Sequence, residues 1–186
     1  MATEIPTLAA ELGVSASTIQ RAAETGLIHG VRRGPRRFVL VTGEKEVLHQ
    51  EWRLIESLRA ALRTEPSVAA AILFGSHARG DSRADSDVDL LVSLRGKPDL
   101  EHFESLRDRL TQRVGHYVDL YADYEMGSQP VAMLRIATEG RPIVDREGYW
   151  PRLRRRLPQL RRQVAKIDAY RQIAREEDVV NTCKRP

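Results

Sequence analysis

Leu8, Ala9, Leu12, Val14, Ile19 and Ala22 fall on one side of two short helices, over residues 7–12 and about 16–25, with Gly13 between them. Ser15 is placed to cap the second helix, and Gly26 to end it in the left-handed conformation. Residues 31–41 then form two extended runs broken by Gly34-Pro35, the pattern of a hairpin with Arg32, Arg33, Arg36 and Arg37 around its tip. Val47, Leu48, Trp52, Ile55, Leu58, Ala61 and Leu62 recur at helical spacing over residues 44–63, and Thr64-Glu65-Pro66 closes that element. Trp52 lies on the apolar stripe and reads as core. This helix can connect the segments on either side of it, or dimerise the chain.

The pattern then changes period. Residues 68–74 are almost wholly apolar, as in a buried strand, and they run into Gly75-Ser76-His77-Ala78-Arg79-Gly80, a turn bounded by glycines. Alternation begins at Ser86-Asp87-Val88-Asp89-Leu90-Leu91-Val92, a strand with Asp87 and Asp89 on one face. Asp99 is placed to cap a helix carrying Leu100, Phe103, Leu106, Leu110 and Val114, which Gly115 ends. A strand over residues 116–121 follows, then a helix from 128–130 to Gly140 with Val131, Leu134 and Ile136, then a strand over 141–145. This order predicts an α+β fold, a mixed sheet with helices on one face.

The remaining chain is arginine-rich over 151–156, where Pro158 limits any helix. Leu160, Val164, Ile167, Tyr170 and Ile173 predict an amphipathic helix from Gln159, with Arg161, Arg162, Lys166 and Arg171 outside. That helix either packs back on the preceding domain or binds a partner. Residues 181–186 are expected to be disordered.

Composition narrows the class. With 186 residues, 41% hydrophobic and 30% charged, the chain suits one ordinary domain or two small ones and is neither fibrous nor wholly disordered. No apolar run reaches the roughly 18 residues of a membrane span, and the start lacks a signal peptide's pattern, so a cytoplasmic protein without membrane contact is expected. Cys183 stands alone, which excludes an internal disulfide and predicts a free thiol. The net charge of +4 conceals a division: +2 over residues 1–43, −5 over 44–150 and +7 over 151–186.

The candidate chemistry lies in the acidic middle. Asp87 and Asp89, about 6 to 7 Å apart on one strand face, repel by roughly 2 to 3 kcal/mol at an effective dielectric near 20. Such a pair calls for a cation, and donors that are all oxygen favour Mg²⁺, with Mn²⁺ as a substitute.

Gly75-Ser76-x-Ala78-Arg79-Gly80 followed by Ser86-Asp87-x-Asp89-Leu90 resembles the signature of minimal nucleotidyltransferases, a branch of the DNA polymerase β superfamily. The resemblance covers about residues 67–148 and implies a third carboxylate on a later strand, which Asp119 in His116-Tyr117-Val118-Asp119-Leu120-Tyr121 supplies. It implies two Mg²⁺ held by Asp87, Asp89 and Asp119, with Asp119 on the nucleophile side, and a triphosphate contacted by Gly75, Ser76 and Arg79. His77 occupies the variable position and reads as pocket-lining or exposed. Asp81 and Asp85 read as solvated loop residues.

The first 43 residues resemble the winged helix-turn-helix of excisionase-like and MerR-type DNA-binding domains, on LAAELGVSASTIQRAAETGLI and VRRGPRRFVLV. That likeness implies DNA contact through Ser17, Thr18, Gln20 and Arg21 on the second helix and through Arg32, Arg33, Arg36 and Arg37 on the wing. A helical hairpin with a basic loop is equally the outline of a protein-binding module. The expected organisation is a winged domain (1–43), a linker helix (44–66), a nucleotidyltransferase domain (67–148) and a basic helical tail (149–186). The expected activity is transfer of NMP, with AMP from ATP the leading case, to a hydroxyl of a protein partner. The chain would be the antitoxin of a HEPN–MNT-like toxin–antitoxin pair that also binds its own operator. The alternatives are a DNA-binding regulator with a nucleotide-sensing or inactive transferase fold, or a transferase acting on RNA or a small molecule.

Overall fold

The computed structural model describes residues 5–34, 37–96 and 100–182. Helix α1 (Ile5–Leu12) and helix α2 (Ala16–Thr25) enclose the Gly13 turn. Ser15 caps α2 by accepting the Thr18 N–H, and Gly26 ends it at φ 84°. Strands β1 (Gly30–Gly34) and β2 (Arg37–Leu40) pair antiparallel, and α3 (Glu44–Arg63) follows. Val68–Phe74 is β3, Gly75–Arg79 a short helix α4, Val88–Leu94 β4, Leu100–Val114 α5 and Val118–Ala122 β5. After α6 (Asp123–Met126) and α7 (Pro130–Glu139) come β6 (Arg141–Asp145), α8 (Tyr149–Arg155) and α9 (Leu157–Thr182).

Four strands make one mixed sheet in the order β5-β4-β3-β6, parallel between β4 and β5 and antiparallel elsewhere. Both of its faces are covered, which corrects the expectation of helices on one face. Leu73, Leu90, Val118 and Ile143 face α3 and α5, whereas Ile72 and Leu91 face Met126, Met133, Ile136, Trp150 and Leu160 of the later helices. The apolar run of β3 is the physical cause: a strand without polar alternation must bury both sides.

One apolar cluster runs from Leu8, Ile19 and Leu27 through Leu48, Trp52, Ile55 and Leu62 of α3 to the sheet, so α3 shares its stripe with the segments before and after it. A buried ion pair crosses the same region. Arg141, 1% exposed, holds both Glu44 carboxylate oxygens at 2.6 and 2.9 Å and also donates to the carbonyls of Leu27 and Ala78. Glu44 additionally accepts the His29 N–H at 2.8 Å.

Other sequence expectations change in detail. The helix over the arginine-rich stretch, α8, ends at Arg155 ahead of Pro158 as expected, while α9 starts at Leu157 rather than Gln159, with Pro158 in its first turn, where its missing N–H is no loss. With no Gly or Pro between 159 and 182, α9 continues through Asn181 and Thr182, which were expected to be disordered. Residues 183–186, with Cys183, and the Pro98-Asp99 cap lie outside the described residues.

Candidate active site

Parallel pairing of β4 with β5 aligns Val88 with Val118, Asp89 with Asp119 and Leu90 with Leu120. Asp89 and Asp119 therefore emerge side by side on one face, from strands about 4.8 Å apart. Asp87 is exposed and stands one residue before β4, so the strand begins at Val88 and not at Ser86. On the other flank Phe74 pairs with Asp89, which brings Gly75 against the Asp89 carboxylate. Gly75 has φ 73°, and a Cβ there would overlap Asp89 Oδ2. Glycine is required by both backbone and contact. Gly75→Ala should displace Asp89 and cost about 10²-fold in nucleotidyl transfer, the scale of an ångström-sized misplacement at a reacting centre, measured as pyrophosphate release.

Burial, then the charges of Asp119 and Asp87, raise the Asp89 carboxyl above its ordinary pKa. Tyr121, two residues beyond Asp119 on the same face, hydrogen-bonds Asp89 and meets Phe74 edge-on at 5.3 Å. Burial first, and then Asp89 and Asp119, raise the Tyr121 pKa. Among the described residues no three His, Cys, Asp or Glu side chains form a group able to hold an ion; backbone register brings Asp89 and Asp119 together, and Asp87 stands just outside that pairing. An all-oxygen donor set with repulsion that disfavours its own ionisation suits a hard divalent cation.

Beyond Gly75 a cavity of about 490 Å³ opens between α4, α7 and α9. Phe74, Pro130 and Ile167 give it apolar walls, and Arg79, Arg135 and Arg171 give it positive charge. Arg79 is exposed and paired with Asp81 at 3.2 Å and Glu139 at 3.6 Å. Ser76 is half-buried in the first turn of α4.

His77 is neither exposed nor in that cavity. Only 4% accessible, it points to the back of the turn, with Nδ1 2.8 Å from Glu51 of α3 and Nε2 3.3 Å from the Ser86 carbonyl. Burial opposes its cation, but the bonds to Glu51 and Ser86 prevail and raise its pKa. Glu51 moves the other way: burial would raise it, and hydrogen bonds from His77 and Ser82 hold it low. A sequence signal for this pair existed, because Glu51 interrupts the stripe Leu48, Trp52, Ile55 at a core position. Tyr121 was signalled by the two-residue alternation of β5, which puts it on the face of Asp119, whereas Arg135 and the cavity role of Arg171 carried no signal, since helix packing creates them.

At the other end of the molecule Ser17 and Thr18 share hydrogen bonds with the Ser15 hydroxyl, and Gln20 donates to Glu24. Arg21 and Arg33 are exposed, and Arg32 pairs with Glu24 at 2.9 Å. Arg36 and the Arg37 side chain lie outside the described residues.

A mixed sheet that sets paired aspartates beside a glycine-led turn and a cationic cavity defines a nucleotidyltransferase. The chain belongs to the family described as "Polymerase beta, Nucleotidyltransferase", which matches residues 56–148. Such enzymes typically use a divalent metal. A putative protein adenylyltransferase of Methanocaldococcus jannaschii is 30% identical over 78 residues, 42% of this chain and 91% of that protein. Protein adenylyltransferase MntA of Thermococcus cleftensis is 40% identical over 70 residues, 36% of this chain and 71% of that protein. Among solved structures, a toxin–antitoxin with AMP-PNP shares the fold at a TM-score of 0.51 and 21% identity, over 68% of this chain and 98% of that one. Among the described residues no helix is long and apolar enough to cross a membrane.

Proposed function

We propose that this enzyme moves AMP from ATP to a hydroxyl of a partner protein, as the antitoxin of a HEPN-type toxin, and that its N-terminal segment binds the operator of its own genes. The observation that carries the catalytic part is Asp89 aligned with Asp119 and covered by Gly75. The protein acceptor is supported by the relatives named protein adenylyltransferases.

In this reading the cavity receives the nucleotide, and Gly75 and Ser76 lie against its phosphates. Arg79 exchanges Asp81 and Glu139 for the triphosphate. Asp87, Asp89 and Asp119 hold divalent ions, Mg²⁺ in the cell with Mn²⁺ able to replace it. Bound metal supplies neutralisation of the triphosphate and a lowered pKa for the acceptor hydroxyl. Asp119 accepts the hydroxyl proton as the acceptor oxygen bonds to the α-phosphorus and the bond to pyrophosphate breaks. Transfer of label from α-phosphate-labelled ATP to the protein encoded beside this chain tests the reading, and a partner left unlabelled in Mg²⁺ contradicts it.

For the N-terminal segment we propose DNA contact by Ser17, Thr18, Gln20 and Arg21 in the major groove and by the four wing arginines on phosphates, with residues 1–43 acting as the DNA-binding unit and residues 44–66 as the helix linking it to the transferase. Its support is the order helix, turn, capped helix and basic hairpin. Each phosphate neutralised contributes about 0.9 to the salt slope, so replacing Arg32, Arg33, Arg36 and Arg37 by Ala should reduce the slope of log K against log salt by about 3 to 4. A gel-shift titration across salt concentrations measures it, and an unchanged slope excludes the wing contact.

A further inference from the structure

We infer that His77, at the variable position of the signature turn, is a positioning residue that fixes Asp87 through the carbonyl of Ser86. Three observations meet here. The imidazole is buried between α3 and α4, with Glu51 on Nδ1 and the Ser86 carbonyl on Nε2. A carbonyl oxygen can only accept, so Nε2 carries a hydrogen; a carboxylate accepts from Nδ1–H, so both ring nitrogens donate. Ser86 is the residue before Asp87 and closes a turn with Arg83, donating its N–H to the Arg83 carbonyl and accepting the Arg83 N–H on its hydroxyl, and the bond from His77 to its carbonyl ties that turn to α4.

The bracket extends beyond the ring. Glu51 accepts from the Ser82 hydroxyl, and Gln50 also donates to Ser82, so α3 grips the start of the loop while His77 grips its end. The His116 ring stands edge-on to His77 at 5.7 Å. The charges around His77 are Glu51 on α3 and Asp89 on β4, with Arg53 and Arg83 lining the cavity of about 380 Å³ behind it. That cavity and the nucleotide-sized one share no lining residue, so His77 acts through Ser86 and not on substrate.

Two near-isosteric replacements separate the two bonds. The Gln side-chain amide reaches the position of Nε2 and keeps the Ser86 bond, whereas the Asn amide reaches only the position of Nδ1 and keeps the Glu51 bond. Full-length wild type, His77→Gln and His77→Asn are titrated with Mn²⁺ alone by calorimetry. Turnover of ATP and thermal unfolding are measured beside it. His77→Asn should weaken Mn²⁺ binding and lower kcat by about tenfold or more, with KM for ATP within about twofold, while His77→Gln stays within about threefold of wild type in both. Equal losses in the two variants, losses that follow unfolding temperature alone, or unchanged Mn²⁺ affinity in His77→Asn would overturn the inference. This inference rests on the metal-dependent transferase reading, and the Mn²⁺ arm separates the two failures. Mn²⁺ affinities that fall in the predicted order across wild type, His77→Gln and His77→Asn, with no transfer by wild type, defeat the function proposed above and leave the role of His77 standing.

Discussion

Asp89→Asn should lose at least about 10³-fold in AMP transfer, because ionic stabilisation at this position is worth several kcal/mol and about 4 kcal/mol corresponds to three decades. The same variant should unfold at a higher temperature than wild type when no divalent ion is present. Burial and the neighbouring aspartates raise the Asp89 pKa, so the native state holds its proton more tightly than the unfolded chain does. The sign follows: the penalty is absent below the ordinary carboxylate pKa, grows as pH rises through the raised one, and is complete above it. Asn removes that charge at every pH, so the gain in stability disappears in acid. Adding Mg²⁺ should stabilise wild type and leave Asp89→Asn nearly unchanged. Kinetics of pyrophosphate release and thermal melts with and without Mg²⁺ check both halves, and a variant that is inactive and also less stable without metal would mean that Asp89 is structural.

The largest effect on stability is expected at Arg141. Its guanidinium is fully enclosed and makes bonds to Glu44, Leu27 and Ala78, so Arg141→Met leaves the buried Glu44 carboxylate without its guanidinium, with the His29 N–H as a remaining donor, and removes the side-chain donor from two carbonyls in the core. Removing one partner of a buried pair costs about 3 to 5 kcal/mol, which for a chain of this length lowers the melting temperature by roughly 6 to 20 °C. Pairing it with Glu44→Gln should recover a large part of the loss, since the stranded charge and not the missing attraction dominates. Denaturant titration of the two single variants and the double variant measures the coupling. Additive losses would show that the pair does not act as a unit.

Legibility in the sequence followed the range of the forces involved. Local signals were sufficient for the Ser15 cap, the Gly26 stop, the 20-residue α3 and the alternation around Asp89. Asp119 was found only through the family pattern, and the alignment of β5 beside β4 then gives its position a physical basis. The unbroken apolar run of β3 signals coverage of both sheet faces, whereas the strand order alone suggests one helical layer. The bracket formed by Glu51 and His77, like the pair formed by Glu44 and Arg141, depends on contacts across 26 and 97 residues. No local period encodes such contacts. Their trace was an acid on a buried helical stripe, at Glu44 and Glu51, where a charge requires a partner. The arginines of the nucleotide-sized cavity come from α4, α7 and α9, three helices well separated in the sequence.

The claim that this chain adenylylates a protein is tested most directly by the intact mass of its genomic partner after coexpression. With wild type, the partner should carry one or more added AMP groups, mapped by fragmentation to hydroxyl side chains. With Asp89→Asn at equal expression, the partner should have its unmodified mass. A partner without added AMP in both cases, or modified equally in both, contradicts the account.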